Sequence, residues 1–178
     1  EVFGPDTSPL YPWVSIERAP LEAGARRVSV NLGVGDNPSK RIPDPFELRL
    51  LAALIDAGWR IHLDTGDGAE ETARVERLLS QLEASGRAAA VIPWRGSLAG
   101  FAARIAASDL YVGYDSACQH IAAALGIKTI DIFSGFRSPR MVERWRPFGP
   151  GEVRMIVMDP NAAPDPDRIL AAVLEAAR

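Results

Sequence analysis

Apolar and polar positions alternate in two rhythms from residue 27 onward. Six short runs rich in β-branched residues, "RVSVNLG", "WRIHLDTG", "AAAVIP", "DLYVG", "IKTIDIFSG" and "VRMIVMD", read as strands. Between them, apolar residues recur every three or four positions, the spacing of a helix with one buried face. In 69–86 the stripe is Val75, Leu78, Leu79 and Leu82, and in 165–178 it is Ile169, Leu170, Val173 and Leu174. Helices are also predicted over 44–58, 97–108, 114–126 and, shorter, 139–145. Asp44 and Pro45 suit the start of the first helix, and Gly58 and Gly86 suit the ends of the first two.

Strand and helix alternate with short loops, which predicts an α/β fold: a Rossmann-like, doubly wound parallel sheet of about six strands with helices on both faces. The order expected is 3-2-1-4-5-6, so strands 1 and 4 are neighbours and a ligand crevice lies at their carboxyl ends. Residues 1–26 differ in texture. They carry Pro5, Pro9, Pro12 and Pro20 with little periodicity, as expected of an extended linker or a tether from a preceding domain. The domain itself is then 27–178, and the opening "EVFGPDTSPLYPW" reads like the middle of a longer protein.

Composition narrows the partners. A net charge of -3 and a pI near 5.5 argue against nucleic acid. One cysteine, Cys118, makes an internal disulfide impossible and leaves no zinc-ligand set, which points to a reducing, cytoplasmic setting. No apolar run approaches the roughly 18 residues of a membrane span, and no signal-peptide pattern is present.

The chemistry gathers in two loops. "GVGDNPSKRIP" follows the first strand and "YDSACQH" follows the fourth, and the expected topology brings both to the crevice. A helix start exposes unpaired N–H groups and partial positive charge, a seat for phosphate or carboxylate. Lys40 and Arg41 would add full charges from the opposite wall, while Gly33 and Gly35 would let a ligand approach the backbone. Two local explanations stand beside this one. Ser116 with Gln119 fits an S-x-x-Q capping box, and His120 could be a packed helix histidine. Cys118, two residues from His120, points away from it and suits a small buried position.

Taken together, these motifs resemble the family-9 glycosyltransferases, the heptosyltransferase family. "DSACQHIAAALGIKTIDIFSG" is similar to that family's Asp-(Ser/Thr)-Gly-x-x-His helix start and following strand. "NLGVGDNPSKRIP" matches its lysine loop at Gly33, Lys40, Arg41 and Pro43, and "TGDGAEE" supplies an acid at the start of the second helix. The resemblance covers about residues 27–150. It implies the C-terminal, donor-binding half of a two-domain GT-B enzyme, with the catalytic base in an absent N-terminal half. It further implies that Gly33, Lys40, Asp115, Ser116, Ala117 and His120 hold the diphosphate of a nucleoside-diphosphate sugar, ADP-linked by the same resemblance. Glu70 or Glu71 would meet the ribose, and Pro93 and Trp94 would flank the base. The acceptor would be a glycan or glycolipid, as in lipopolysaccharide biosynthesis, bound through the other half, with a peripheral position at the inner membrane face. No metal and no cofactor is expected, because positioned cations and amides can stabilise a departing diphosphate.

The chain departs from the family pattern at Ala117, where glycine is usual, at Ile42, where tryptophan is common, and over "FSGFRSPRMVERWRPFGPG". That last stretch adds Arg137, Arg140, Arg144 and Arg146. Arg137 and Arg140 are candidates to grip a sugar or phosphate, against the alternative of a solvated basic face. "GVGDNP" lacks the third glycine of a dinucleotide fingerprint, since Pro38 stands there, and Asp64 only partly completes that pattern. His62 and Asp64 lack further metal ligands, and Asp165 to Asp167 suits a helix cap better than a metal motif. A nicotinamide-dependent oxidoreductase domain and a non-catalytic nucleotide-binding module are the competing functions.

Overall fold

In a computed structural model the chain is described at residues 11–12, 14–20 and 24–178. Six strands, β1 (Arg27–Asn31), β2 (Arg60–Asp64), β3 (Val91–Trp94), β4 (Leu110–Tyr114), β5 (Lys128–Phe133) and β6 (Val153–Val157), form one sheet in the order β3-β2-β1-β4-β5-β6. Every pairing is parallel. This is the expected doubly wound order, with the direction of winding reversed between β1 and β4.

Six helices cover the sheet: α1 (Phe46–Asp56), α2 (Ala69–Ala84), α3 (Leu98–Ala106), α4 (Ala117–Ala124), α5 (Pro139–Arg144) and α6 (Pro166–Ala176). The helices α1, α2 and α6 pack on one face. Their Phe46, Leu50, Leu54, Leu78, Leu82 and Val173 meet the apolar side of the strands, including Val28, Ile61, Val112 and Ile130. On the other face α3 and α4 bring Phe101, Ile105, Cys118 and Ala122 against Tyr111. That second cluster is smaller because the strands present polar groups there: Ser29, Asn31, His62, Thr129 and Asp131 are all buried.

Several local expectations are corrected. Ala88–Ala90 form a 3-10 turn, and the third strand begins only at Val91, since three alanines offer little to hold an edge strand. Asp44 does not cap α1. Pro45 occupies the cap position after a cis Asp44–Pro45 bond, and the Asp44 carboxylate pairs with Arg74 at 2.7 Å. Gly58 and Gly86 do follow their helices at φ of +87° and +74°, a region open to glycine without strain. Asp165 caps α6, accepting from the Asp167 and Arg168 N–H groups at 3.1 Å each.

Pro5 and Pro9 of the expected tether lie outside the described residues. Its described part touches the domain at Ala19, whose N–H donates to the Ala103 carbonyl at 3.0 Å, and at Tyr11, stacked on Phe148 with ring centroids 5.0 Å apart. Among the described residues no helix is long and apolar enough to cross a membrane.

Candidate functional site

Parallel strands carry their carboxyl ends to one edge, so the loops after β1, β2, β4 and β5 share one rim. The β1–α1 loop winds through a short 3-10 turn, Pro38–Lys40, opened by Asn37, whose carboxamide oxygen accepts from the Ser39 N–H at 3.2 Å. Strand β5 ends against this turn. A Cβ on Gly135 would lie 2.6 Å from the Lys40 nitrogen, and Asn37 Nδ2 donates to the Gly135 carbonyl at 3.3 Å. Only glycine permits so close a packing, and it aims Lys40 across the rim.

Lys40 and the tip of α4, 75 residues apart in sequence, meet there. Lys40 Nζ donates to the Asp115 carbonyl oxygen at 3.0 Å and pairs with its Oδ2 at 2.7 Å. Asp115 Oδ1 accepts from Gln119 Nε2 at 2.7 Å, and Gln119 also reaches the Trp145 carbonyl at 3.4 Å. Gln119 is therefore engaged by Asp115, and the capping box does not form: Ser116 stands at the cap position without a side-chain bond to the helix amides. Its Oγ donates to Asn31 Oδ1 at 3.3 Å and lies 3.5 Å from the Tyr111 hydroxyl. The first amides of α4 thus keep no side-chain acceptor, and the exposed Ala117 leads the helix. His120, one turn in, is half-buried, and burial holds its imidazole below the ordinary value despite the opposing pull of Asp115.

A polar row runs beneath this tip. Register places Asp64, Asn31, Gly113 and Asp131 side by side across β2, β1, β4 and β5. Asn31 Nδ2 donates to Asp64 at 2.7 Å. The Tyr111 hydroxyl fills the space over Gly113, where a Cβ would approach it to 2.5 Å. Asp131 is fully buried and neither carboxyl oxygen has a hydrogen-bond partner. Burial, with help from Asp115 and against Lys40, pushes Asp131 up to about 8. Asp64 is raised too, chiefly by burial. The signal for this row was present as period-two polar residues (Ser29 and Asn31, His62 and Asp64, Thr129 and Asp131) in strands of a sheet covered on both faces, where apolar runs are the norm.

The remaining candidates separate. Arg41 does not line the Lys40 wall as expected. Its guanidinium turns to the buried Glu47 at 3.4 Å and to Glu70 at 3.8 Å, because Glu47 at the start of α1 needs cations to offset its burial. Arg74 completes that cluster, 2.6 Å from Glu47. Glu70 is exposed, whereas Glu71 turns inward between the loops after β1 and β2, accepting from the Val34 N–H at 3.3 Å and packing against Gly33 and Gly66. Pro93 is exposed at the end of the edge strand. Trp94 packs over Gly96 and Gly100 with Arg104 stacked 3.8 Å above its ring, and its backbone oxygen accepts from Thr65. Arg137 and Arg140 are exposed, and Arg137 lines an open cleft with Asp36, Ser39 and Asp159. Neither arginine is ion-paired to a carboxylate among the described residues, and no three metal-ligating side chains come together among them. Cys118 is buried and burial pushes its thiol up to about 12, so it has no nucleophilic character.

A doubly wound sheet with a lysine and a helix start closing on one rim defines a Rossmann-like α/β domain with an anion-suited crevice. More particularly, the chain belongs to glycosyltransferase family 9, the heptosyltransferases, whose family model matches residues 35–168. It is 36% identical over 95 residues to lipopolysaccharide heptosyltransferase 1 of Pseudomonas aeruginosa, a match covering 53% of this chain and 25% of that protein. The fold is shared with the ADP-heptose LPS heptosyltransferase II of E. coli at a TM-score of 0.65 and 23% identity, covering 88% of this chain and 47% of the other. It is shared equally with E. coli heptosyltransferase WaaC, solved with ADP, at a TM-score of 0.66 and 24% identity, covering 88% and 46%. The chain therefore spans under half the length of these structures.

Proposed function

We propose that this chain is the donor-binding half of a metal-independent glycosyltransferase, holding the diphosphate of a nucleoside-diphosphate sugar between Lys40 and the first amides of α4. The observation that carries this reading is the contact of Lys40 Nζ with Asp115 at 3.0 and 2.7 Å, which brings the Lys40 ammonium to an uncapped helix start. The negative charge that grows on a departing diphosphate would be met there by groups already in place. Gly33 and Ala117 border the same rim, Ser116 is held by Asn31, and His120 lies one turn behind. Glu71, rather than Glu70, has the inward placement suited to ribose hydroxyls, and the rim continues to Pro93 and Trp94 for the base.

An adenosine diphosphate fits the solved relative that carries ADP. Displacement at the anomeric carbon would then use a base from a partner domain, which would also bind the glycan or glycolipid acceptor. Residues 1–26 would be the tether to that domain and 27–178 the donor domain. Arg137, in the open cleft beside Ser39, and the exposed Arg140 would meet the sugar or its phosphate. Family membership does not favour the oxidoreductase alternative.

The test is a melting series with ADP, UDP, GDP and NAD. ADP at a hundredfold excess over its Kd should stabilise the chain by roughly 2.7 kcal/mol, with NAD well behind. Lys40→Ala should weaken ADP binding by roughly 1.5–3 kcal/mol while leaving the fold intact. Unchanged ADP affinity in that variant would remove Lys40 from the site.

A further inference from the structure

Asp131 is a fully buried carboxyl with two unpartnered oxygens, placed inside β5 where a parallel sheet ordinarily seats an aliphatic side chain. It lies opposite Gly113, two residues before Asp115, and four residues before the Gly135 that abuts Lys40. It therefore sits under both halves of the Lys40–Asp115 contact and touches neither by a hydrogen bond. Resting on the diphosphate reading above, we infer that Asp131 is a positioning group that makes diphosphate binding proton-dependent: uncharged, it leaves Lys40 available to the anion, and ionised, it opposes the anion from beneath the helix tip.

Charge counting supports the direction. With Asp131 neutral, Lys40 and Asp115 balance. With Asp131 ionised the cluster is net negative, and an entering diphosphate meets repulsion across a low-dielectric gap. The groups acting on Asp131 are Lys40 from the β1–α1 loop, Asp115 from the β4–α4 turn and Tyr111 from β4, with Cys118 of α4 packed on Tyr111, His120 beside Asp115, and Asp64 farther along the row. Met155 faces it from β6. The segment after α5 covers the α4 tip through the Trp145 carbonyl, and its Arg144 and Arg146 are exposed. Burial keeps the Tyr111 hydroxyl and Cys118 thiol protonated and His120 uncharged at neutral pH and above. Of these four, Asp131 alone changes charge between about pH 7 and pH 9.5.

By linkage, an anion that is repelled by ionised Asp131 must draw a proton onto it when binding near pH 8. Calorimetric titration of ADP into the whole chain, in paired buffers of different ionisation enthalpy, reads this directly. ADP affinity should fall roughly tenfold from pH 7 to pH 9.5, the scale expected of two unit charges several ångströms apart at an effective dielectric of about 20. Binding near pH 8 should take up protons. Asp131→Asn should keep most of its affinity at the higher pH and take up none, and Asp131→Thr serves if the amide variant does not fold. The same pH loss and proton uptake in the variant would overturn the inference, as would pH-independent binding by the wild type. If ADP binds neither protein at any pH, the diphosphate site itself is wrong and the inference falls with it.

Discussion

At the scale of single residues, burial sets the chemistry. The pKa of Asp131 rises from 3.8 unfolded to about 8 folded, so between those values the unfolded chain has released a proton that the native chain still holds. The contribution of Asp131 to stability is then full below about pH 4, falls as pH rises, and levels off above about pH 8. At about 1.36 kcal/mol per unit the ceiling on this loss is on the order of 6 kcal/mol. Asp131→Asn should therefore match the wild type in urea unfolding at pH 3.5 and become progressively more stable toward pH 8. A constant difference across that range would mean the carboxyl is solvated in the native state. Lys40, Asp115 and Ser116 were legible in the sequence because they stand in loops and at a helix start, where polar residues draw notice. Asn31 and Asp131 were legible only as half of a period-two polar pattern, which marks a shared face but does not say what lies over it.

At the scale of elements, α4 is held at both ends by different means. Its tip is pinned by Asp115, Lys40 and Gln119, and its far end by the segment running from α5 to β6. There the backbone passes so close that a Cβ on Gly149 would lie 1.7 Å from the Ala123 carbonyl oxygen, and one on Gly151 2.5 Å from that of Gly126. Gly149→Ala must push the segment off the helix. Overpacking of this kind costs about 1–3 kcal/mol, and a lowered thermal midpoint in calorimetry checks it. Most helix and strand positions followed from periodicity. The failures were at ends: Asp44 was diverted from capping by Arg74, and the Ser116 cap was diverted by Asn31. In both cases a tertiary partner competed for a side chain that local geometry would have used.

At the scale of the whole molecule, the rim is a wall rather than an enclosure. Lys40 and the α4 tip face outward from one edge of a single sheet, and the chain spans under half of the related structures. The expected outcome is that the chain alone binds ADP and transfers no sugar from ADP-heptose to any acceptor. Mass spectrometry of a prolonged incubation tests this, and a glycosylated product would place the whole reaction within these 178 residues.

Strand and helix count, the parallel doubly wound order and the pairing of the lysine loop with the α4 tip were determined by the sequence itself, because hydrophobic period and loop length are local quantities and handed crossovers leave few topologies. The tertiary structure alone decided that Arg41 serves Glu47 and not the rim, that Glu71 and not Glu70 turns inward, and that Asp131 lies unpartnered under the site. Each of those outcomes depends on which charges share a buried space, and that is a property of distance in the folded chain and not of spacing along it.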